Sequence, residues 1–524
     1  MIIKGPYPDI SIPETALTPF VLHRATELGD KPALIDGLTG RKISYSQLAD
    51  SISIVAHNLA QRGFRKGDVC GILSPNCPEY GIAFHAVATL GGIVTPINPL
   101  YTKYEVCHQL KDSGARFLFT TPAGAGKVLE AEEKPSLDEL FVFGSSAGAT
   151  SFDSLLVDNG RATQADVNPA EDLVALPYSS GTTGLPKGVM LTHRNLVANI
   201  CQMKGLDYFY ETDTLICVLP LFHIYGLVVV LNMGLYSGVT IVTMPRFELE
   251  SFLQAVQDYE VSMAHLVPPV VLQLSKNPIV DNYKLPKLKT IFSGAAPLGE
   301  ELTRACIERL GCHIRQGYGM TETSPVTHSS PAPPMDAKFG SVGVAAPNTE
   351  CKIVDLATGE ALGPGEKGEV CVRGPQIMKG YLNRPEATAA TIDLENWLHT
   401  GDIGYFDEDG HFFIVDRAKE LIKYKGFQVP PAELEAVLLT HPSVSDAAVI
   451  PYPDEEAGEV PKAIIVLRGM ADAEEIMEFV GERVAPHKRI RHLEFVDKIP
   501  KSPSGKILRR VLVEMEKAKR AAAS

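Results

Sequence analysis

The chain has 524 residues, which is too long for a single hydrophobic core and predicts two or more domains. Hydrophobic residues make up 45% and charged residues 21% of it, as in ordinary globular proteins, so a disordered or fibrous protein is excluded. The formal net charge of −14 argues against a nucleic-acid-binding protein, whose surface would carry a basic face, but leaves room for a local anion site.

Residues 15–120 alternate between helical and strand-like patterns, and the alternation returns in "VTIVTMP", "VSMAHLVPP" and "KLKTIFSG". Alternating β and α units form parallel sheets that helices cover. The sequence therefore predicts an α/β fold whose large N-terminal domain contains two parallel-type sheets.

One segment is apolar enough to suggest a membrane span, because no Asp, Glu, Lys or Arg lies between Asp213 and Arg246. Pro220, His223, Asn232 and glycines interrupt it, and buried parallel strands also read as continuous apolar runs. We therefore expect buried core here and no stable membrane insertion.

The pattern changes near residue 351, where alternating runs flank Gly/Pro and Asp-Gly turns. Such runs predict hairpins, which we expect to form a small β-barrel at the end of the N-terminal domain. Farther on, the pattern predicts a helix that starts at Pro430 and Pro431, followed by a strand. Together they indicate a compact α+β unit. We place the boundary at Arg417, with an N-terminal domain of residues 1–417 and a mobile C-terminal domain of residues 418–524.

Nine cysteines are scattered along the chain without a C-x-x-C pair, so neither a disulfide framework nor a zinc site is indicated. The first ten residues contain no apolar signal-peptide core. Buried reduced thiols are the simpler interpretation, and they predict a cytoplasmic location.

The segment "YSSGTTGLPKG" at residues 178–188 concentrates hydroxyls, glycines and one lysine, the groups that bind phosphate. It is not a P-loop, because in that motif the lysine directly follows a glycine and precedes a magnesium-binding hydroxyl. Here Lys187 follows a proline and precedes Gly188. The segment "PAGAGKV" at residues 122–128 does contain a Gly-Lys step, but it too lacks a hydroxyl after the lysine. We interpret it as a turn without function.

Other short segments add nucleotide chemistry farther along the chain. "QGYGMTET" from Gln316 offers an aromatic ring to stack a purine, then a hydroxyl and a carboxylate, and "TGD" ending at Asp402 suits two ribose hydroxyls. "PKSPSGKILRR" carries Lys506 on a loop of small residues. Each segment alone is weak evidence for nucleotide binding, since such residues commonly form turns or carry solvated charges.

Taken in order, these segments resemble the adenylate-forming superfamily of acyl-CoA synthetases, over nearly the whole chain. The phosphate loop is followed by "PLFHIYG", "SGAAPLG", "GYGMTE", "TGD" and "PSGK" in that family's order. Within the superfamily the chain is most similar to 4-coumarate–CoA ligases and their bacterial relatives. The resemblance implies that a carboxylic acid attacks the α-phosphate of Mg·ATP to give an acyl-adenylate, and that coenzyme A then displaces AMP.

The resemblance also implies a role for particular residues. Lys506 would bridge the carboxylate and the α-phosphate, and His223 would guard the carboxylate entry. Thr321 would contact the α-phosphate, while Glu322 would hold Mg²⁺. The nucleotide-binding residues would be Ser179, Ser180, Gly181, Thr182, Thr183, Gly184 and Lys187 for pyrophosphate, Gly294, Ala295, Ala296, Gln316, Gly317 and Tyr318 for adenine, and Asp402 and Arg417 for ribose.

For the second step, the resemblance implies that the C-terminal domain swings about a hinge at Lys419. The swing would exchange the Lys506 loop for a face that opens the coenzyme A channel. That face would carry Lys423, Lys425, Gly426 and Gln428.

The acyl pocket implied by the resemblance departs from the hydroxycinnamate ligases. Phe292 stands where those enzymes have a lysine that meets the phenol, and Val228 where they commonly have asparagine. A buried phenol without a partner costs about 1–3 kcal/mol, so we expect cinnamate or a medium-chain fatty acid to fit better than 4-coumarate. The pocket residues would be Tyr225, Val228, Val229, Phe292, Gly294, Gly317, Gly319, Pro325 and Val326.

Three alternatives share the adenylation chemistry or its scaffold. A carrier-protein loader would pass the acyl group to a separate chain, and a luciferase-like relative would oxidise the adenylate. A non-catalytic AMP-binding relative is disfavoured because Lys506, Glu322 and Asp402 are intact. The expected partners are a small carboxylic acid, ATP and coenzyme A, and the expected assembly is a monomer or homodimer.

Overall fold

The computed structural model describes residues 1–524 with eight gaps. The gaps are residues 180–185, 207–208, 333–336, 419, 425–426, 455–456, 503–504 and 524, and of residues 427–428 and 522–523 only the backbone is described.

A first nine-stranded sheet has its parallel centre in the N-terminal part of the chain. Its central strands bury nearly all of their aliphatic side chains, as strands covered on both faces do. Its strands, in spatial order, are Tyr178–Ser179, Lys187–Thr192, Leu173–Ala175, Ile93–Ile97, Val69–Leu73, Ala115–Thr120, Glu139–Val142 and Thr150–Ser151, with Gly380–Tyr381 paired to Lys187–Thr192.

A second nine-stranded sheet is parallel through its middle six strands. Its strands, in spatial order, are Val344–Ala345, Val326–Ser329, His313–Gly319, Thr290–Ser293, Met263–Leu266, Thr214–Cys217, Thr240–Thr243, Pro32–Asp36 and Lys42–Ser44. One large apolar cluster draws on both sheets and on the helix Pro78–Thr89, which is almost wholly buried. The prediction of parallel βα sheets is confirmed.

The uncharged segment between Asp213 and Arg246 is buried core, as predicted. It does not form strands throughout, however: residues Tyr225–Asn232 form a π-helix that continues into the helix Met233–Ser237. In the part of the chain that the structure describes, no helix is long and apolar enough to cross a membrane.

A third sheet contains the hairpins predicted after residue 351. Its five strands, in spatial order, are Ile3–Lys4, Glu350–Val354, Gly368–Arg373, Leu398–Phe406 and Phe412–Arg417, all antiparallel. These strands are the part of the chain predicted as a small β-barrel, and Phe412 on the last of them bridges to Gly343, beside the strand Val344–Ala345.

A fourth sheet lies beyond residue 421 and has its own apolar cluster. Its strands are Phe427–Val429, Ile422–Tyr424, Gly458–Leu467 and Val444–Asp454 in spatial order, with His492–Phe495 beside Gly458–Leu467. The helix Pro431–Thr440 starts at the predicted proline pair.

The helices lie between and outside these sheets. They are Leu17–Val21, Ala25–Leu28, Tyr45–Gln61, Pro78–Thr89, Lys103–Asp112, Pro122–Leu129, His193–Lys204, Met233–Ser237, Leu249–Asp258, Pro268–Lys276, Glu300–Leu310, Pro385–Ala389, Pro431–Thr440, Ala473–Gly481 and Arg509–Ala523. The segment at 122–128, interpreted as a turn, is therefore a helix, because Thr121 caps it and Pro122 starts it.

Candidate active site

The phosphate-loop segment joins two paired strands of the first sheet. Ser179 lies opposite Lys187 across this pair, while residues 180–185 of the loop lie outside the described residues. The chain then continues as a strand to Thr192, whose hydroxyl accepts from the backbone N–H of Asn195 at 3.2 Å and caps the next helix. This cap fixes the end of the strand that carries Lys187.

Asp402 lies at the centre of a polar cluster formed by two sheets. The hydroxyl of Tyr318 donates to its Oδ2 at 2.6 Å, and Nε of Arg417 lies 3.1 Å from its Oδ1. Arg417 is its direct partner on the neighbouring strand. Three residues predicted for the adenine and ribose are therefore in mutual contact.

The turn that presents Asp402 is held by the adjacent strand. The hydroxyl of Thr400 donates to the carbonyl of Val370 at 2.7 Å, and the backbone N–H of Gly401 donates to Oε1 of Glu369 at 2.9 Å. Glu369 was not predicted from the sequence, yet it fixes the backbone beside Asp402, the carboxylate predicted to bind ribose.

Glu322 and Lys187 are linked through Tyr381. Glu322 is only 3% exposed, and the Tyr381 hydroxyl donates to its Oε1 at 2.8 Å. The Lys187 ammonium lies 5.1 Å from the centre of the same tyrosine ring, within cation–π range. One ring thus joins the carboxylate expected to hold Mg²⁺ to the lysine of the phosphate loop, and Thr321 directly precedes Glu322.

The segments predicted to line the adenine site meet at the carboxyl end of the second sheet. The side-chain amide of Gln316 is fixed by Leu298, whose N–H donates to its Oε1 at 3.1 Å. Ala295 has a φ of +69°, a left-handed conformation that is uncommon for alanine. Gly317 and Tyr318 continue the strand that begins at His313, and Ala296 follows the turn at Ala295.

The predicted acyl pocket adjoins this turn through Tyr225. A Cβ added to Gly294 would lie 2.8 Å from Cε1 of Tyr225, so glycine is required for the ring to approach. The Tyr225 hydroxyl lies 3.0 Å from Nδ1 of His265, and the ring of His265 stacks on Phe292 with centroids 5.2 Å apart. The guanidinium of Arg315 lies 4.5 Å from the centre of the Phe292 ring.

The remaining predicted pocket residues lie on two neighbouring elements. Val228 and Val229 are fully buried in the π-helix that starts at Tyr225. Gly319 lies against Pro325, because a Cβ on this glycine would overlap the proline carbonyl, and Val326 follows in a paired strand.

His223 lies at the start of the same helix and is neutral at physiological pH. Burial, together with the charge of Lys506, lowers the pKa of its imidazole to about 4. Its Nδ1 accepts from the backbone N–H of Tyr225 at 3.2 Å, so the proton of the neutral ring is on Nε2.

Lys506 lies on a C-terminal loop that contacts the N-terminal part of the chain. A Cβ on Gly505 would lie 3.0 Å from Cγ2 of Val267, and its φ of +78° also favours glycine. Burial, and then the charge of Arg417, lower the pKa of the Lys506 ammonium, while Asp402 opposes this shift. The structure therefore brings Lys506 to the cluster around Asp402, more than 100 positions earlier in the chain.

Among the residues predicted for the second step, Lys423 is the one whose side chain the structure describes, and it points to solvent. Lys423 is exposed, and its backbone N–H donates to Glu459 at 2.8 Å within the fourth sheet. Lys419, Lys425 and Gly426 lie outside the described residues, and only the backbone of Gln428, paired with Lys423, is described.

Tyr381, Glu369 and His265 complete the site but were not found by sequence reasoning. Each acts through a contact between elements far apart in sequence. Glu369 does lie in a charged, glycine-containing run, "GEKGEVCVRG", but that run was interpreted only as part of a hairpin. The "GY" step that contains Tyr381 follows an unremarkable loop, so no local signal distinguished it.

Comparisons with known proteins agree with this geometry. The AMP-binding enzyme family matches residues 21–382, and the AMP-binding enzyme C-terminal domain matches residues 433–506. A 4-coumarate–CoA ligase 1 of Petroselinum crispum is 46% identical over 524 residues, covering 98% of this chain and 96% of the relative.

Two solved structures extend the likeness to the complete fold. An anthranilate–CoA ligase in complex with anthranoyl-AMP superposes with a TM-score of 0.90 at 27% identity, covering 98% of this chain and 99% of the other. ATP-bound MatB from Rhodopseudomonas palustris gives a TM-score of 0.85 at 29% identity, covering 95% and 98%. The chain therefore belongs to the AMP-binding enzyme family within the adenylate-forming superfamily, as an AMP-forming acid–thiol ligase of the 4-coumarate–CoA ligase type.

Proposed function

We propose that this ligase activates a cinnamate-like aryl acid as its acyl-adenylate and then forms the coenzyme A thioester. The observation that carries the proposal is a set of apolar side chains beside the turn at residues 294–296, which we predict to bind adenine. The Tyr225 ring approaches Gly294, and fully buried Val228 and 1%-exposed Phe292 lie on the elements that meet there.

The pocket chemistry supports an unsubstituted ring over a phenol. Phe292 supplies an aromatic surface but no hydrogen-bond donor, and its ring is held between His265 and Arg315. A phenol buried there without a partner loses about 1–3 kcal/mol. Cinnamate, or a medium-chain fatty acid, avoids that loss.

In the first step the acid must approach a polyanion, and the described cations would reduce that repulsion. Lys506 would lie between the attacking carboxylate and the α-phosphate, and Thr321 would bind that phosphate. Neutral His223 would donate from Nε2 without adding charge, and Asp402 would accept the ribose hydroxyls while Arg417 holds it in place.

The donors around Glu322 fit Mg²⁺. Glu322 is a buried carboxylate with one oxygen bonded to Tyr381, which leaves the other oxygen for a hard cation, and Mg²⁺ typically takes one or two carboxylates together with substrate phosphates. Bound there, the ion would neutralise the phosphates of ATP. Lys187 and the loop Ser179–Gly184 would hold the departing pyrophosphate.

For the second step we propose that residues 418–524 rotate about Lys419 relative to residues 1–417. The contact of Gly505 with Val267 supports an adenylate-forming arrangement, in which Lys506 faces the nucleotide and Lys423 is exposed. Rotation would bring Lys423, Lys425, Gly426 and Gln428 to the adenylate in exchange. We also propose a cytoplasmic monomer or homodimer, a location that the nine free cysteines support.

A substrate panel tests the proposal. We expect AMP and pyrophosphate release with coenzyme A present, an acyl-CoA product by mass, and a kcat/KM for cinnamate above that for 4-coumarate. Octanoate distinguishes an aryl from an aliphatic pocket. A strong preference for 4-coumarate would refute the pocket argument, and adenylation without thioester formation would point to a separate carrier protein.

A further inference from the structure

A cluster of three side chains that can ligate a metal lies on the third sheet, beside the segment of residues 400–402 but not among the residues assigned to ATP or the acid from the sequence. Glu369 and Cys371 stand two positions apart on one strand, and His399 is the direct partner of Cys371 on the next. Nδ1 of His399 lies 3.4 Å from Sγ of Cys371 and 2.8 Å from Oε2 of Glu369. All three ligand atoms lie within 4.8 Å of one another.

These separations are close to those of a tetrahedral metal site. Zinc bonds of about 2.3 Å to sulfur and about 2.1 Å to nitrogen or oxygen place tetrahedral S and N ligands about 3.6 Å apart, and N and O ligands about 3.4 Å apart. The observed S–N distance of 3.4 Å and N–O distance of 2.8 Å would each have to increase by less than about 1 Å on metal binding. Thiolate with imidazole selects zinc-like cations over Mg²⁺, which prefers oxygen ligands.

A fourth residue orients the histidine. Oδ2 of Asp393 lies 3.5 Å from Nε2 of His399, on the side of the ring opposite Cys371. The other oxygen of Asp393 is fixed by the backbone N–H groups of Glu395 and Trp397, each at 2.9 Å. A carboxylate on the far nitrogen is the usual support for a metal-ligating histidine, because it directs the lone pair of the near nitrogen to the metal.

Exposure is also suitable. The side chain of His399 is 33% exposed, so a cation can enter from solvent past the imidazole, while Cys371 itself is buried.

We propose that Glu369, Cys371 and His399 bind one thiophilic divalent cation, Zn²⁺ or Co²⁺. Binding releases the thiol proton of Cys371 to solvent and leaves thiolate, imidazole Nδ1 and carboxylate oxygen as protein ligands, with water completing the tetrahedron. Because Oε1 of Glu369 accepts from Gly401, the bound cation is connected to the turn that presents Asp402.

Cobalt titration of the full chain in Mg²⁺-free buffer tests the proposal without any substrate. We expect one equivalent of Co²⁺ to produce a near-ultraviolet thiolate-to-metal band together with tetrahedral visible bands, and Zn²⁺ to displace it. Cys371→Ser should abolish the thiolate band. Cys201→Ser, which changes a half-buried cysteine on the helix His193–Lys204, should leave it unchanged.

Asp393→Asn is the second variant, since it keeps the oxygen that accepts from the backbone and removes the acceptor for His399. We expect it to weaken cobalt affinity about 10- to 100-fold while the circular dichroism spectrum is unchanged. A thiolate band that survives Cys371→Ser, or cobalt binding without any such band in the unmodified chain, would overturn the proposal. Neither result depends on which acid the enzyme activates.

Discussion

Replacing Tyr381 with phenylalanine tests whether one hydroxyl positions the carboxylate expected to hold Mg²⁺. The substitution removes the 2.8 Å hydrogen bond to Oε1 of Glu322 and keeps the ring beneath the Lys187 ammonium. Because Glu322 is 3% exposed, water cannot easily replace the hydroxyl. A hydrogen bond to a charged group contributes about 1.5–3 kcal/mol, so a carboxylate that loses its orientation should lower kcat/KM for Mg·ATP about 10- to 150-fold.

The assay is ATP–pyrophosphate exchange measured over a range of Mg²⁺ concentrations at saturating acid. Tyr381→Leu also removes the ring, and losing an interaction of about 0.5–1 kcal/mol with Lys187 should lower the rate a further two- to fivefold. Tyr405→Phe is the matched control, because Tyr405 stacks on Phe413 in the third sheet outside the nucleotide cluster. Unchanged kcat/KM in Tyr381→Phe, at unchanged thermal stability, would refute a positioning role for the hydroxyl.

Three further predictions concern Lys506 and the acyl pocket. Lys506→Ala should lower ATP–pyrophosphate exchange about 10²- to 10³-fold but affect thioester formation from supplied acyl-adenylate far less. The control is Lys501→Ala, which changes a nearby lysine paired with Asp446 at 2.8 Å and should affect neither assay. Equal losses in both assays for Lys506→Ala would contradict the split role. Phe292→Lys should raise the ratio of kcat/KM for 4-coumarate to that for cinnamate about tenfold. It should also lower the melting temperature, because the new ammonium faces Arg315. An unchanged ratio would mean that the phenol binds elsewhere. The kcat/KM for ATP in the exchange assay, which reports the free enzyme, should fall as pH rises through a pKa below the lysine value of 10.5, because burial and Arg417 destabilise the charged form of Lys506. Lys506→Arg should move this alkaline limb upward. A limb at or above 10.5 in the unmodified enzyme would contradict the described surroundings.

The sequence predicted the parallel sheets because strands buried on both faces are apolar throughout, and that signal is local. It failed on two backbone conformations. The glycine-rich segment at 122–128 was interpreted as a turn although Thr121 and Pro122 are local signals for a helix start, and the apolar run after Tyr225 forms a buried π-helix. Neither outcome can be read from composition, since both segments tolerate several conformations.

The candidate site likewise contains residues that sequence motifs predicted and contacts that they did not. Motif order predicted roles for Asp402, Glu322 and Lys506 because each lies in a short charged or glycine-containing pattern. The contacts that hold them come from Tyr318, 84 positions before Asp402, and from Tyr381, 59 positions after Glu322. Likewise, cysteine spacing gave no indication of the proposed cation site, because Cys371 meets a histidine 28 positions away only when two strands pair. Spacing rules detect ligands on one element and miss those joined by a sheet.

The surroundings of Lys506 explain why the arrangement of the C-terminal loop suits ATP. Docking of the loop at Val267 brings the Lys506 ammonium toward Arg417 in a half-buried position, and both burial and the second cation disfavour its charge. Asp402 offsets part of this, but its two oxygens are already engaged by Tyr318 and Arg417. A triphosphate entering between these cations would relieve their repulsion, so ATP binding and loop docking should stabilise each other. Loss of pyrophosphate removes much of that negative charge, which weakens the attraction for the Lys506 loop at the moment when the proposed second step requires it to leave.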